Sequence, residues 1–247
     1  MRTRTPEITV AADLNALYRA AAGVFQRASA DAVAARGVFR AALSGGSTPK
    51  GLYSLLATDE TLGSPVAWDR AEFFWSDERH VPPDHPESNY RMAEEALLSR
   101  VPVTPNRIHR VRAELPDPSM AAIAYEVDIR RAFDSYGEIP RFDLILLGLG
   151  ADGHTASLFP RTPALAERSR LVTANHVPEL GDRITMTYPL LNAARLVMFV
   201  VAGAGKAAAV RTVLKPDPDA PEPPAHLVRP EDGDVVWVLD GEAGSQL

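Results

Sequence analysis

Short apolar runs recur along the chain, separated by longer stretches with helical spacing. Val38–Leu43 (VFRAAL), Glu72–Trp75 (EFFW), Leu144–Leu149 (LILLGL), Ile184–Tyr188 (ITMTY), Leu196–Ala202 (LVMFVVA) and Val235–Leu239 (VVWVL) read as strands. Most of them run almost continuously apolar instead of alternating. That marks strands covered on both faces, hence a parallel sheet. Ala11–Ala35, Lys50–Ala57, Asn89–Ser99, Ser119–Tyr136 and Lys206–Leu214 read as helices. Alternating β and α elements predict an open, doubly wound α/β fold with a mostly parallel sheet flanked by helices. The length of 247 residues suits one such domain over 1–247. No internal repeat is visible. One segment breaks the pattern: Pro216–Pro230 carries prolines at 216, 218, 221, 223, 224 and 230. Such a run cannot be helix or central strand and reads as a surface loop. A polyproline recognition motif fits poorly, because the segment itself carries acidic residues.

Composition narrows the function classes. Apolar residues make up 46% and charged residues 23%, which suits a soluble globular chain with a sizeable core. The net charge of −6 argues against a nucleic-acid binder, but it leaves room for a small basic pocket. The absence of cysteine removes disulfides and thiolate chemistry, and it suits a cytoplasmic enzyme. The N-terminal MRTRTPEITV lacks the apolar core of a signal peptide, and no apolar run approaches the ~18 residues of a membrane span.

In an open α/β sheet, ligands bind where the strands end, and three strand-end loops are chemically loaded. The first is LSGGSTPK, with Gly45, Gly46, Ser47 and Thr48 ahead of Pro49. Glycines there let the backbone approach an anion, and Ser or Thr before Pro starts a helix whose N-terminus favours phosphate. It is not a Walker A loop. The second loop places Asp77, Glu78, Arg79 and His80 just past a strand, with Ser88 placed to cap the next helix. Arg79 could grip a phosphate or carboxylate in a two-pronged contact, or simply pair with Asp77. His80, Asp84 and His85 match no tight metal-ligand set.

The third loop runs from Gly148 to Pro160, GLGADGHTASLFP. Gly148, Gly150 and Gly153 match G-x-G-x-x-G. A dinucleotide site would need a long helix next and an acidic strand end ~20 residues on. Pro160 cuts the helix, and no such strand end follows. What remains is Asp152-Gly153-His154, an imidazole on a Gly-rich turn at a strand end, suited to act as a base near neutral pH. No G-x-S-x-G nucleophile elbow is present, and Ser157 reads as a capping or packing residue. Water is therefore the expected nucleophile.

Taken together, the loops resemble the 6-phosphogluconolactonase family over nearly the whole chain. The resemblance rests on Leu43–Pro49 (LSGGSTP), Trp75–Val81 (WSDERHV) with Ser88–Tyr90 (SNY), Phe142–Pro160, Arg183–Thr187 (RITMT) and Gly203–Lys206 (GAGK). It implies a Rossmann-like fold, no metal and no nucleotide cofactor. The implied reaction is hydrolysis of 6-phosphoglucono-δ-lactone to 6-phosphogluconate in the oxidative pentose phosphate pathway. The related glucosamine-6-phosphate deaminase/isomerases follow their Asp-Gly-His turn with Asn-Glu-Pro and carry Asp-Glu-Tyr in the second loop. Here Leu158-Phe159-Pro160 and Asp77-Glu78-Arg79 stand instead. Phe159 cannot move protons, so both departures favour the lactonase over the deaminase. A catalytically silent sugar-phosphate binding protein is the remaining alternative.

The resemblance then implies roles. His154 would take a proton from water attacking C1 and return it to the leaving ring oxygen, with Asp152 or Asp77 orienting the imidazole. Gly45, Gly46, Ser47, Thr48, Arg79 and Lys206 would bind the phosphate, and Arg183 would line the site by its place in the family motif. The partner is a small sugar-phosphate lactone, with no nucleic acid and no membrane. The expected state is a monomer with a dimer as the alternative, since amphipathic helices look alike in both.

Overall fold

A computed structural model describes residues 5–58 and 66–247; the first four residues of the N-terminal stretch weighed above lie outside this range. In chain order the elements are β1 (Glu7–Ala11), α1 (Leu14–Arg36), β2 (Phe39–Leu43), α2 (Ser47–Thr58), β3 (Ala71–Trp75), β4 (Asp77–Arg79), α3 (Asn89–Ala96), α4 (Pro118–Ala132), β5 (Leu144–Leu147), β6 (Val172–Val177), β7 (Gly181–Met186), α5 (Tyr188–Leu191), β8 (Leu196–Val201), α6 (Ala207–Leu214) and β9 (Asp234–Asp240). Six strands form an all-parallel sheet in the order β1-β9-β8-β5-β2-β3. The central LILL of β5 is wholly buried, as a strand covered on both faces must be.

Helix α1 shows why the helical stretches fold as they do. Asp13 caps it by accepting the Ala16 N–H at 2.8 Å, and Gly37 ends it at φ 74°, a left-handed conformation that glycine adopts without strain. Its buried face, including Leu17, Ala21, Val24, Phe25 and Ala32, lies on the sheet, where the Phe25 ring meets Phe39 edge-on at 5.2 Å. Helix α2 begins at Ser47, earlier than the sequence suggests, so Pro49 is its third residue. Pro is tolerated there because the first-turn N–H groups have no helical partner.

The structure corrects the strand assignment in one respect. Ile184–Tyr188 was expected within the parallel sheet. Instead β7 belongs to a second, antiparallel sheet of order β4-β7-β6, and Tyr188 opens α5. The end of β7 is buried like a parallel strand, although its partners run the other way. Strands β1, β4 and β6 were not predicted at all. β4 is three charged residues, β6 interleaves Thr, Asn and His with its apolar positions, and β1 lies at the sheet edge with Ile8 and Val10 exposed. None of these carries the continuous apolar signature.

The chain passes from β2 outward to β3, then returns to place β5 on the other side of β2. The C-terminal ends of β2 and β5 therefore flank a switch point, where open α/β sheets hold their ligands. At the opposite edge, buried Asp143 fixes the β2/β5 register. It accepts the Arg40 N–H at 2.8 Å and Arg36 Nε at 3.0 Å, while its own N–H donates to Arg40 O at 3.0 Å. Asp143→Ala strips the Arg40 N–H of its partner. We expect a loss of about 1–3 kcal/mol in urea unfolding, with the native circular dichroism spectrum unchanged.

Candidate active site

Four loops gather at the C-terminal edge of the large sheet, following β2, β3, β5 and β8. The loop after β5 carries the imidazole. His154 Nδ1 lies 2.6 Å from Asp152 Oδ1, and the same oxygen accepts the His154 backbone N–H at 3.2 Å. A carboxylate can only accept, so Nδ1 bears a proton and Nε2 is the ring atom left to exchange one. The Phe159 ring stacks on the imidazole with centroids 3.9 Å apart and planes 24° from parallel. Between the two sequence candidates for orienting His154, the hydrogen bond therefore belongs to Asp152.

The turn itself is tightly specified. Gly150 N donates to His154 O at 2.8 Å and Gly153 N to Gly150 O at 3.1 Å. A side chain at Gly150 would collide with the His154 ring and the Asp152 carboxylate. Gly153 sits at φ +81°, and both Ala156 and Arg161 also adopt left-handed conformations. No helix follows the Gly148-Gly150-Gly153 pattern: residues 151–162 run as turns with a single bridge between Thr155 and Leu158.

Asp77 does something else. Buried at 8% exposure, its Oδ2 accepts the Ser157 hydroxyl at 2.6 Å. Ser157 N donates to Thr185 Oγ1 at 3.2 Å, and Asn175 Nδ2 donates to Ser157 O at 2.8 Å. The imidazole loop is thus pinned to all three strands of the small sheet. Glu78, next along and facing the other way, accepts the backbone N–H groups of Arg79, Asn89 and Tyr90, each at 2.8 Å, and the Ser88 hydroxyl at 3.2 Å. It closes the start of α3, where Ser88 also caps Arg91 N, as the sequence suggests. Burial pushes the Glu78 carboxyl up against the pull of those N–H groups.

The loop after β2 is held by residues to which the sequence assigned no role. The Tyr53 hydroxyl accepts from Ser44 N and donates to Ser44 O, both at 2.9 Å. Asn89 donates to Asp77 O at 2.9 Å, and its side chain occupies the space a Cβ on Gly45 would need. Gly45 is therefore required by a close approach, and Gly46 by its φ of +105°. Ser47 and Thr48 form the first turn of α2. Asn89 lies in the SNY motif, but nothing in the local sequence gives its role or marks Tyr53 beyond a helical position; both roles depend on long-range packing.

Arg79 and Arg183 face each other across β4 and β7 as direct register partners. Arg79 donates to Glu87 O at 2.8 Å and Arg183 to Asp182 O at 3.2 Å. Among the described residues neither guanidinium has a carboxylate within ion-pair distance, so the Asp77–Arg79 pair that their spacing allows does not form. Burial first, then repulsion from Arg79, holds the Arg183 guanidinium below its ordinary range. Asp77 and Thr185, which hold Ser157, form the neighbouring same-face rung about 7 Å away along the strands. Lys206 ends a 3-10 turn (Ala204–Lys206) after β8 and leads into α6; its ammonium makes no hydrogen bond or ion pair among the described residues. Among those residues there is also no cluster of His, Asp and Glu able to hold a metal ion, and no helix long and apolar enough to cross a membrane.

A family model described as glucosamine-6-phosphate isomerases/6-phosphogluconolactonase matches residues 12–237. The chain belongs to that family. It is 45% identical over 217 residues to a 6-phosphogluconolactonase of Nostoc sp., covering 87% of this chain and 88% of that protein. A human 6-phosphogluconolactonase is 41% identical over 226 residues, covering 91% and 86%. Among solved structures, 6-phosphogluconolactonase from Trypanosoma cruzi superposes with a TM-score of 0.86 at 30% identity, over 100% of this chain and 98% of that one. The Rossmann-like expectation for the fold holds.

One electrostatic consequence is directly measurable. Burial pushes the Asp152 carboxyl up, but the His154 backbone N–H, the charge of the His154 ring and its Nδ1–H together hold it below the ordinary aspartate range. The group is depressed in the folded state. Its contribution to stability is therefore present above the unfolded value of about 3.9 and lost as pH falls through the folded value. A carbon-13 NMR titration should place the Asp152 midpoint below an ordinary aspartate, and His154→Ala should raise it.

Proposed function

We propose that this chain hydrolyses 6-phosphoglucono-δ-lactone to 6-phosphogluconate, with His154 as general base and water as nucleophile. The observation that carries the reading is one juxtaposition. An imidazole with its free Nε2 set by Asp152 sits on a loop docked one rung away from two guanidiniums that lack acidic partners. Like charges directly opposite across strands are destabilising, and a dianionic phosphate between them reverses that cost. The family relatives named 6-phosphogluconolactonase point to the same substrate.

The chemistry follows from the geometry. The phosphate is held by Arg79 and Arg183, with Lys206 and the first turn of α2 at Gly45, Gly46, Ser47 and Thr48 adding positive potential. Binding this inert group fixes the lactone carbonyl relative to the base, converting a bimolecular attack into an oriented one. His154 Nε2 takes a proton as the water oxygen bonds to C1. The tetrahedral intermediate then expels the ring oxygen, which receives that proton from His154. The product carboxylic acid loses its own proton to solvent. Asp152 keeps the ring in the required tautomer and stabilises the imidazolium between the two transfers, while Asp77 acts through Ser157 by holding the loop in place. Phe159 covers one imidazole face and offers no second proton carrier, which supports lactone hydrolysis over deamination. The reading takes residues 1–247 as one domain, since β1 and β9, from opposite ends of the chain, pair with each other. It takes the enzyme as cytoplasmic, a monomer with a dimer as the alternative, needing no metal or nucleotide.

The test follows acid release from freshly made 6-phosphoglucono-δ-lactone above the spontaneous rate, with glucosamine 6-phosphate as control. Acceleration with the lactone alone is expected. Ammonia from the control would mark a deaminase, and neither response would mark a binding protein. In the same assay His154→Ala should lower kcat by about 10²–10⁴-fold while KM stays within a few-fold. Wild-type turnover in that variant would remove His154 from the mechanism.

Arg79→Ala and Arg183→Ala should each raise KM about tenfold or more, the loss of one charged hydrogen bond, with a smaller change in kcat. Both should also shrink the preference for phosphorylated over unphosphorylated gluconolactone. An undiminished preference in both variants would place the phosphate elsewhere.

A further inference from the structure

The proline-rich segment is more than a loop over the surface. At its centre a 3-10 turn, Pro224–Leu227, is built into the fold, with Pro224 and Ala225 buried. The Tyr188 hydroxyl donates to Pro224 O at 2.9 Å, Asn192 Nδ2 to Leu227 O at 3.1 Å, and His226 Nδ1 lies 2.6 Å from Val213 O near the end of α6. From this anchored turn two contacts reach the imidazole loop, and both fall on Gly153, the residue before His154. Ala225 N donates to Gly153 O at 3.0 Å. On the other side of the residue, a Cβ built on Gly153 would stand 2.6 Å from Pro223 Cβ, so Pro223 is packed directly onto the glycine Cα.

Gly153 lies at φ +81°, and an unclamped glycine passes readily between positive and negative φ. The Asp152–His154 hydrogen bond cannot prevent this, because both partners ride on the same turn and would move with it. A reference point outside the turn is required. Pro223 is suited to supply one: its ring fixes its own φ, here −68°, and buried Tyr188 holds its neighbour.

We propose that Pro223 is a positioning residue for His154. It acts through Gly153, and with the Ala225 N–H it fixes the backbone direction from which the imidazole leaves the turn. The inference rests on the hydrolytic role of His154 argued above. The segment also joins two walls of the site, since it reaches the catalytic turn at Gly153 and the far end of the helix that follows Lys206 at Val213.

The contact atom is Cβ, which sets the test. Pro223→Ala keeps that atom and should retain most of the activity. Pro223→Gly removes both the contact and the fixed φ. It should lower kcat about tenfold with KM within twofold and melting temperature nearly unchanged, since small misplacements of a base cost rate steeply. Its His154 Nδ1–H signal, read by proton–nitrogen NMR, should shift or broaden. Should Pro223→Gly fail to fold, Tyr188→Phe loosens the same turn by one hydrogen bond, and it should lower kcat several-fold at unchanged KM. Wild-type kcat in the folded glycine variant or in Tyr188→Phe would overturn the proposal. So would equal losses in the alanine and glycine variants, or an unchanged His154 signal in the glycine variant. A wild-type protein that leaves the lactone untouched would instead refute the functional reading. The NMR comparison would still decide whether Pro223 fixes the imidazole.

Discussion

The site depends on one buried hydrogen bond, from the Ser157 hydroxyl to the Asp77 carboxylate at 2.6 Å. The two residues lie 80 positions apart in the chain. Asp77 opens a strand of the small antiparallel sheet, whereas Ser157 lies on the loop leaving the central strand of the large one. Their contact locks the two sheets together at the point where the imidazole loop turns. A carboxylate out of water is costly unless its oxygens are satisfied, so any displacement of Ser157 exposes that cost. The adjacent Glu78 is used the same way on the opposite face, with the opening of α3 as its partner. Two neighbouring acids thus hold the floor of the site in two directions, and neither is available to be the imidazole's partner.

Much of this was legible in the sequence. Gly45, Gly46, Gly150 and Gly153 stand where backbone conformation or close approach admits no side chain, and their clustering after apolar runs marked the strand ends. Asp152 and His154, two residues apart on one turn, form the pair that such spacing allows. The parallel sheet was visible because strands buried on both faces must be continuously apolar. The second sheet was not, because β4 and β6 are short and polar and take their stability from partners far along the chain. The direct opposition of Arg79 and Arg183 is a matter of register between strands 104 residues apart. Local pattern contains no information on that register. The roles of Asn89, Tyr53 and Pro223 were illegible for the same reason, since each acts on a loop that is distant in sequence.

The two guanidiniums also resolve a tension in the charge balance. A chain of net charge −6 is a poor collector of anions as a whole. Locally, though, β4 and β7 hold two positive charges with no acid in ion-pair contact among the described residues, while Glu78 and Asp77 are turned toward hydroxyl and amide donors. The neighbouring acids are engaged by hydroxyl and amide donors, and neither arginine is ion-paired among the described residues. On the proposed reading the two arginines select by the charge of a remote group, which fits a substrate whose reacting carbonyl is itself uncharged.

Phe159 adds a second constraint on the imidazole. Asp152 fixes the imidazole at its edge, through Nδ1, and Phe159 fixes it at its face, through stacking. An edge constraint and a face constraint together leave the ring little rotational freedom and direct Nε2 away from both. A carboxylate in place of Phe159 would add a negative charge beside the ring and a second acceptor for its proton, creating a relay where the hydrolytic reaction needs one base. An aromatic ring adds neither. On the proposed reading, lactone hydrolysis is favoured over proton-shuttling sugar chemistry because Phe159 supports the imidazole without adding a proton carrier.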